Sequence, residues 1–227
     1  MDRSPGFLQR YAARAGLAML IGMPDPSRPA VFARHAASLL VWQEGAAGPE
    51  VLMGQRGAGA RFVPNRLVFP GGAVDPTDAT SPVARAPRPD VLARLGRRPG
   101  LSRALIHAAA RELEEEAGLS LGSPPALDAI DYICRAVTPP RQPIRFNARF
   151  FTVDAAMTTG TLRSSVELQD VRFLAVQEAL TLDLMLVTSE VLRQFLAWHA
   201  LPEAERRART ETPLFREKNW RRETLLR

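Results

Sequence analysis

Arg111-Glu112-Leu113-Glu114-Glu115-Glu116-Ala117-Gly118-Leu119 decides how this chain is read. It closes an amphipathic run predicted to be a helix from about Leu101 to Ala117. At about 100° per residue, Glu112, Glu115 and Glu116 share one arc. Leu105, Ile106, Ala109, Ala110, Leu113 and Ala117 fill the neighbouring apolar arc, which faces a core. Gly118 supplies the left-handed residue that ends a helix. Three carboxylates at i, i+3 and i+4 repel one another, and the macrodipole disfavours negative charge at a helix C-terminus. Stability alone does not choose this arrangement. A hard divalent cation does, because it accepts several carboxylate oxygens at once.

Upstream, Leu67-Val68-Phe69 reads as a strand and leads into Pro70-Gly71-Gly72. Paired glycines after a strand allow a tight turn and close backbone approach to a ligand. Together the two stretches resemble the Nudix box, G-x5-E-x7-R-E-U-x-E-E-x-G-U with U aliphatic. Gly72 takes the first position, Asp78 stands where the Glu is expected, and Arg111 to Leu119 match the second half. The spacing departs from the pattern: 32 residues separate Asp78 from Arg111, against 7 in the usual box. In this the chain is similar to the Nudix branch related to peroxisomal coenzyme A diphosphatases, which carries an insertion inside the box. Gln55 to Gly72 looks like the lead-in of that branch. So does Thr138-Pro139-Pro140 followed by Arg145-Phe146-Asn147, although Asn147 replaces an Asp.

The resemblance implies an α+β fold, a Nudix-type α/β/α sandwich with a mixed β-sheet. It implies Mg²⁺ or Mn²⁺ as cofactor and a nucleoside diphosphate-linked small molecule as substrate. Carried over by position, Glu115 and Glu116 are metal ligands, Glu112 a further ligand or a base, and the Gly71 carbonyl a backbone ligand. Arg111 orients a ligand carboxylate. Members often add a downstream acid, for which Glu167 is the candidate. Arg56 and Arg61 are candidates for holding substrate phosphates. The branch points to coenzyme A or an acyl derivative. ADP-ribose or a nucleotide sugar is the alternative, and a catalytically weak nucleotide-binding regulatory domain is a third reading.

Size and composition agree with one enzyme domain. The chain has 227 residues, 46% hydrophobic, enough for a core. Cys134 is the single cysteine, which excludes an intrachain disulfide and a Cys-rich zinc site. The histidines His35, His107 and His199 lack metal-ligand spacing. The net charge of +6 comes almost entirely from arginine and suits phosphorylated small molecules. Nucleic acid is a weaker expectation, because no aromatic strand platform is present for base stacking. No apolar run of 18 residues occurs, so no membrane span is expected. Richness in Ala, Arg and Pro suggests a bacterial cytoplasmic protein, and a homodimer is allowed.

The predicted organisation is an N-terminal arm and linker over residues 1–29, a Nudix domain over 30–200 and a basic tail over 201–227. Strands are expected near His35–Gln43, Val51–Gln55, Ile130–Val137, Ile144–Val153 and Val171–Val176, with a helix over Thr188–Ala200. The insertion, 76–100, is proline-rich and carries Arg85, Arg88, Arg94, Arg97 and Arg98. It is expected to form one short helix near Asp90–Leu95, and its arginines form either a solvated excursion or a basic flap over the site. Phe215 and Trp220 are the expected anchors of the tail.

Overall fold

The computed structural model describes residues 31–59, 64–96, 98–140 and 142–224. The arm and linker over 1–29, Arg61 and Arg97 lie outside the described residues.

β1 (Arg34–Gly45) organises the sheet. Ala37, Leu39 and Val41 point to one core and Leu40 to the other, all fully buried. Burial on both faces explains why β1 reads as a near-continuous apolar run. It turns at Ala46-Ala47 into β2 (Gly48–Arg56). β3 (Leu67–Val68) and β4 (Gly71–Ala73) follow. Later come β6 (Asp131–Val137), β7 (Phe146–Asp154), β9 (Leu168–Ala175), β10 (Glu211–Arg216) and β11 (Asn219–Thr224). They make one mixed sheet in the order β11-β10-β6-β7-β1-β2-β3. The pairs β1–β7 and β10–β6 are parallel. A small separate pair joins β5 (Leu119–Ser120) to β8 (Thr159–Gly160).

The helix α1 (Pro89–Leu95) belongs to the insertion, and α2 (Pro99–Ala117) is the acidic helix of the sequence. α2 begins with Pro at its first position and ends at Gly118, whose φ is 73°. Its apolar arc, including Leu105, Ile106, Ala109 and Leu113, packs on Ala37, Leu39 and Leu52. Beyond the short α3 (Val176–Ala179), α4 (Leu186–His199) covers the other face with Val191, Leu192 and Phe195 against Leu40, Val51 and Met53. Helices on both faces of a mixed sheet make the expected sandwich.

Two parts of the chain differ from the sequence reading. The Gly71-Gly72 pair is not only a turn: it lies in β4, paired antiparallel to residues 36–38 of β1. Residues 42–45 of β1 pair with β2 instead. The sheet therefore splits beside β1, and β2 departs toward β9 while β4 takes its place. The stretch after Leu201, expected as a tail, forms α5 (Glu203–Ala208) and the β10–β11 hairpin, which extends the sheet beside β6. Its turn uses Glu217 and Lys218, with φ of 54° and 65°, in left-handed backbone usually given to Asn or Gly. Phe215 and Trp220 form a cross-strand pair with ring centroids 5.1 Å apart and pack against the α4 side of the core.

Among its described residues the insertion adds no strand to the main sheet. It consists of a 3₁₀ turn at Pro76–Ala79, an isolated bridge from Arg85 to Ala126, and α1.

Candidate active site

The site forms where the C-terminal half of α2 meets β4. The β1–β4 register puts Gly71 and Ala73 at positions whose backbone groups face away from β1, because Leu39 and Val74 donate to the Pro70 and His35 carbonyls. The freed groups meet α2. The Gly71 N–H donates to Glu116 Oε2 at 2.8 Å, and the Ala73 carbonyl accepts from Arg111 Nη2 at 3.2 Å. Both glycines keep space that a neighbour occupies, with a side chain at Gly72 and with backbone at Gly71. A Cβ at Gly72 would lie 2.3 Å from Glu112 Oε1, and one at Gly71 would lie 2.5 Å from the Ala37 carbonyl oxygen.

Arg111 is the hub. Its Nη1 donates to Glu112 Oε1 and Glu115 Oε2, each at 2.9 Å. Its Nε donates to Asp78 Oδ1 at 3.1 Å and its Nη2 to Asp78 Oδ2 at 3.3 Å. Asp78 thus pairs with Arg111 across the insertion although it is one methylene shorter than Glu. The Asp75 N–H donates to Asp78 Oδ2 at 2.7 Å, and His107 Nδ1 lies 3.0 Å from Asp78 Oδ1. Burial opposes the Asp78 charge, but these hydrogen bonds from Arg111, Asp75 and His107 outweigh it and hold the carboxyl below its usual range. Burial likewise opposes the Arg111 charge, yet Asp78 and Glu112 raise its pKa further.

The site-facing carboxylates shift the other way. Burial raises the Glu112 pKa against the pull of Arg111, and the charges of Glu115 and Glu167 add to the rise. Glu116 is pushed up to about 7, first by burial and then by Glu112 and Glu167, while the Gly71 N–H and Arg56 oppose the shift. Glu116 is only 4% exposed. These acids carry more negative charge than their surroundings solvate.

The structure pairs Gly71 with Glu116 and Arg111 with Glu112. Glu167, on the bend before β9, and Arg56, at the end of β2, join them electrostatically. Among the described residues the buried Arg56 Nε finds no hydrogen-bond partner. Glu115 is mostly exposed and held by Arg111. The sequence reading did not assign His107 a role. Its position one turn before Arg111 on the same helix face was the available signal.

The donors present fit a hard divalent cation by type: carboxylate oxygens in a crowded, buried, acidic setting. Among the described residues, no three such side chains are gathered into a ready-made metal cage. Glu112 and Glu115 are turned to Arg111, and Glu116 to Gly71.

The insertion arginines sit elsewhere. Arg85 pairs with Asp128, Arg88 with Asp90 and Asp131, and Arg94 with Asp90 and Asp131. These three brace the insertion against the body, and they are not the free guanidiniums that a flap over the site requires.

No family model matches the sequence, and none of the curated proteins compared with it does. Solved structures do match. The chain is similar to a Nudix hydrolase from Alicyclobacillus acidocaldarius, with 28% identity over 74% of this chain and 92% of that one, at a TM-score of 0.56. It shares its fold with the Nudix domain of Shewanella oneidensis NrtR, solved with ADP ribose, at 16% identity over 79% of this chain and 96% of that one, with a TM-score of 0.50. The fold is therefore that of the Nudix hydrolases, and the solved structures it resembles support an enzyme of that type. Among the described residues no helix is long and apolar enough to cross a membrane.

Proposed function

We propose that this site hydrolyses a diphosphate linkage in a nucleoside diphosphate derivative, with Mg²⁺ or Mn²⁺ held by Glu112, Glu115, Glu116 and the Gly71 carbonyl. The observation that carries the reading is the contact of Glu116 with the Gly71 N–H beside an Arg111 clamped by Asp78. That contact joins the two halves of the box despite the insertion. It leaves the Gly71 carbonyl, which the register also turns off the β1 ladder, on the side of the acids.

When bound, the cation neutralises diphosphate charge and acidifies a water. The chain's own residues do the rest. Arg111 fixes the rotamers of Glu112 and Glu115. With Glu115 and Glu116 on the cation, Glu112, whose pKa burial raises, is the acid suited to take a proton from water. Glu167 adds a third negative charge at the same place. Arg56 faces Glu116 with an unused buried donor and is suited to a substrate phosphate.

Coenzyme A or an acyl derivative is the first substrate to test, on the strength of the resembled branch. ADP-ribose and nucleotide sugars follow. The described arginines of the insertion do not support a choice made by a basic flap. Arg85, Arg88 and Arg94 are engaged elsewhere, and Arg98 lies fourteen residues before Glu112, about 21 Å along the sequence of α2 at the usual rise. The test is product release from coenzyme A, acyl-coenzyme A, ADP-ribose and a nucleotide sugar, with each metal and with chelator. Metal-dependent release of an adenosine bisphosphate from coenzyme A is the expected result. No turnover of any of the four with either metal would overturn the hydrolase assignment.

A further inference from the structure

The other end of α2 opens on a cavity of about 670 Å³. Its wall is drawn from the start of β1, the ends of β6 and β10, the segment leading into β7, β7 itself, and the first turn of α2. Five arginines line it: Arg98, Arg135, Arg145, Arg149 and Arg216, together with His35. Two of them have a carboxylate. Arg135 meets Glu223 at 2.5 Å, and Arg216 lies 3.5 Å from Glu217. Arg145 donates to the Thr138 and Val31 carbonyls, which are neutral.

Arg149 is the informative member. It is 6% exposed, yet among the described residues its hydrogen bonds go to neutral groups: the Asn147 carbonyl at 2.8 Å, His35 Nδ1 at 3.0 Å and the Tyr132 side chain, while Glu223 acts on it only as a nearby charge. A guanidinium has no acceptor, so His35 Nδ1 must be the unprotonated nitrogen. Burial lowers the His35 pKa, and Arg149, Arg135 and Arg98 lower it further, so the histidine adds no charge of its own. A buried cation with no directly paired carboxylate is costly unless something anionic meets it. α2 adds to the excess, because Leu101 and Ser102 line the cavity and a nineteen-residue helix directs the positive end of its dipole there.

We propose that this cavity is a second ligand site, for a phosphate ester of nucleotide size, separate from the hydrolytic centre. Its volume falls in the usual range for small-molecule pockets, roughly 300–1,000 Å³. Phe32, 88% exposed, stands beside the arginines and offers a face to a base. Ser102 and Glu116 are fourteen residues apart on one helix, about 21 Å at the usual rise, so one mononucleotide does not span both places. A concave cavity with a deep arginine favours a small anion over a nucleic acid strand, which needs an extended basic track.

The test uses the full chain with chelator present, so that the acidic site has no cation to attract phosphate. Calorimetric titration with ADP should give one site. Glu116→Gln should retain it. Arg98→Ala, on the exposed rim, should weaken ADP binding about tenfold, the scale of one charge-assisted contact. Arg149→Gln should weaken it at least as much, and Arg98→Ala keeps the test valid if that variant fails to fold. Adenosine should not bind measurably. The proposal is overturned if ADP does not bind, if adenosine binds as tightly, if Glu116→Gln abolishes binding, or if Arg98→Ala leaves it unchanged. Single-stranded RNA binding more tightly than ADP, with the same dependence on Arg98, would overturn it in favour of a nucleic-acid surface. Loss of hydrolysis in the substrate panel leaves this test untouched, because its readout is binding without metal.

Discussion

The two ends of α2 are electrostatic opposites built on the same fault. At its C-terminus, where the backbone dipole is negative, the chain places Glu112, Glu115 and Glu116. At its N-terminus, where the dipole is positive, it places Arg98 and surrounds the first turn with four more arginines. Each end stacks like charge on a dipole of the same sign, against the arrangement that favours a helix. The compensation differs. The acidic end is wired internally: Arg111 collects Asp78, Glu112 and Glu115, and the Gly71 N–H holds Glu116. The basic end has Glu223 and Glu217 at its margin, and among the described residues Arg149 hydrogen-bonds only to neutral partners. A helix held in place by a large apolar face, from Leu105 to Ala117, can tolerate unfavourable charge at both tips. Binding sites for ligands of opposite sign can therefore be built on one rigid rod.

The largest effect expected is at the acidic end. Glu116→Gln should lower turnover by about a thousandfold or more, since such a site relies on charge placement. The same change should stabilise the metal-free fold. In the folded chain Glu116 keeps its proton up to about pH 7, whereas unfolded it ionises near its ordinary value of 4.5. Ionised Glu116 therefore destabilises the native state above pH 7, by an amount on the order of 3 kcal/mol. That cost fades as pH falls from 7 toward 4.5. Melting curves in chelator should show the variant gaining most at pH 8 and nothing near pH 4.5. A variant less stable than the parent at pH 8 would contradict the crowding argument.

Asp78→Asn should act in the opposite direction. Removing a buried partner from Arg111 costs about 2–4 kcal/mol, somewhat less than a fully buried pair because Arg111 is partly exposed. The Asp78 pKa is lowered, so its stabilisation is complete above the unfolded value near 4 and is lost as pH falls through the folded one. Urea titrations at pH 7 and pH 3 should show the difference between variant and parent shrinking at the lower pH.

Gly72→Ala should separate geometry from stability. The added methyl meets the flexible end of Glu112, so the side chain moves and the backbone stays. Activity should fall about ten- to a hundredfold, the scale of a misplaced catalytic group, with the melting temperature nearly unchanged. A large loss of stability would mean that Glu112 is fixed more firmly than its contacts indicate.

The smallest effect is expected at the basic end. Arg98→Ala should leave kcat/KM for the best diphosphate substrate within about twofold, because about 21 Å of helix separates it from Glu112. A tenfold loss would join the two ends into one functional unit.

The legible parts of this molecule are those whose signal lies in one stretch. The periodicity from Leu101 to Ala117 and the stop at Gly118 mark α2, and the apolar run in β1 marks a strand buried on both faces. The Arg145-Asn147-Arg149 face of β7 was visible as a row of polar side chains, but its partners were not. Arg98, Arg135 and Arg216 come from three other elements, and no spacing rule joins them. The hairpin after Leu201 was hidden because Pro213 interrupts β10, β11 carries Arg221, Arg222 and Glu223, and the turn lacks Asn or Gly. Parallel pairing with β6, a long-range contact, supplies the stability that the local sequence does not. Whether Asp78 pairs with Arg111 stays open in the sequence for the same reason: 32 intervening residues obscure a contact of 3.1 Å.

Asp131 has a consequence for how the protein survives in a lysate. Its carboxylate receives Arg88 and Arg94 from the insertion and, on the other oxygen, the Trp198 indole N–H of α4 at 2.8 Å. A proline-rich excursion with several arginines would ordinarily be the first place a protease cuts. Here Arg94 is 4% exposed and its guanidinium is tied to the sheet. Trypsin should therefore spare the bond after Arg94 in the native chain and open it in Asp131→Asn, where the knot that fastens the insertion to the far helix is undone.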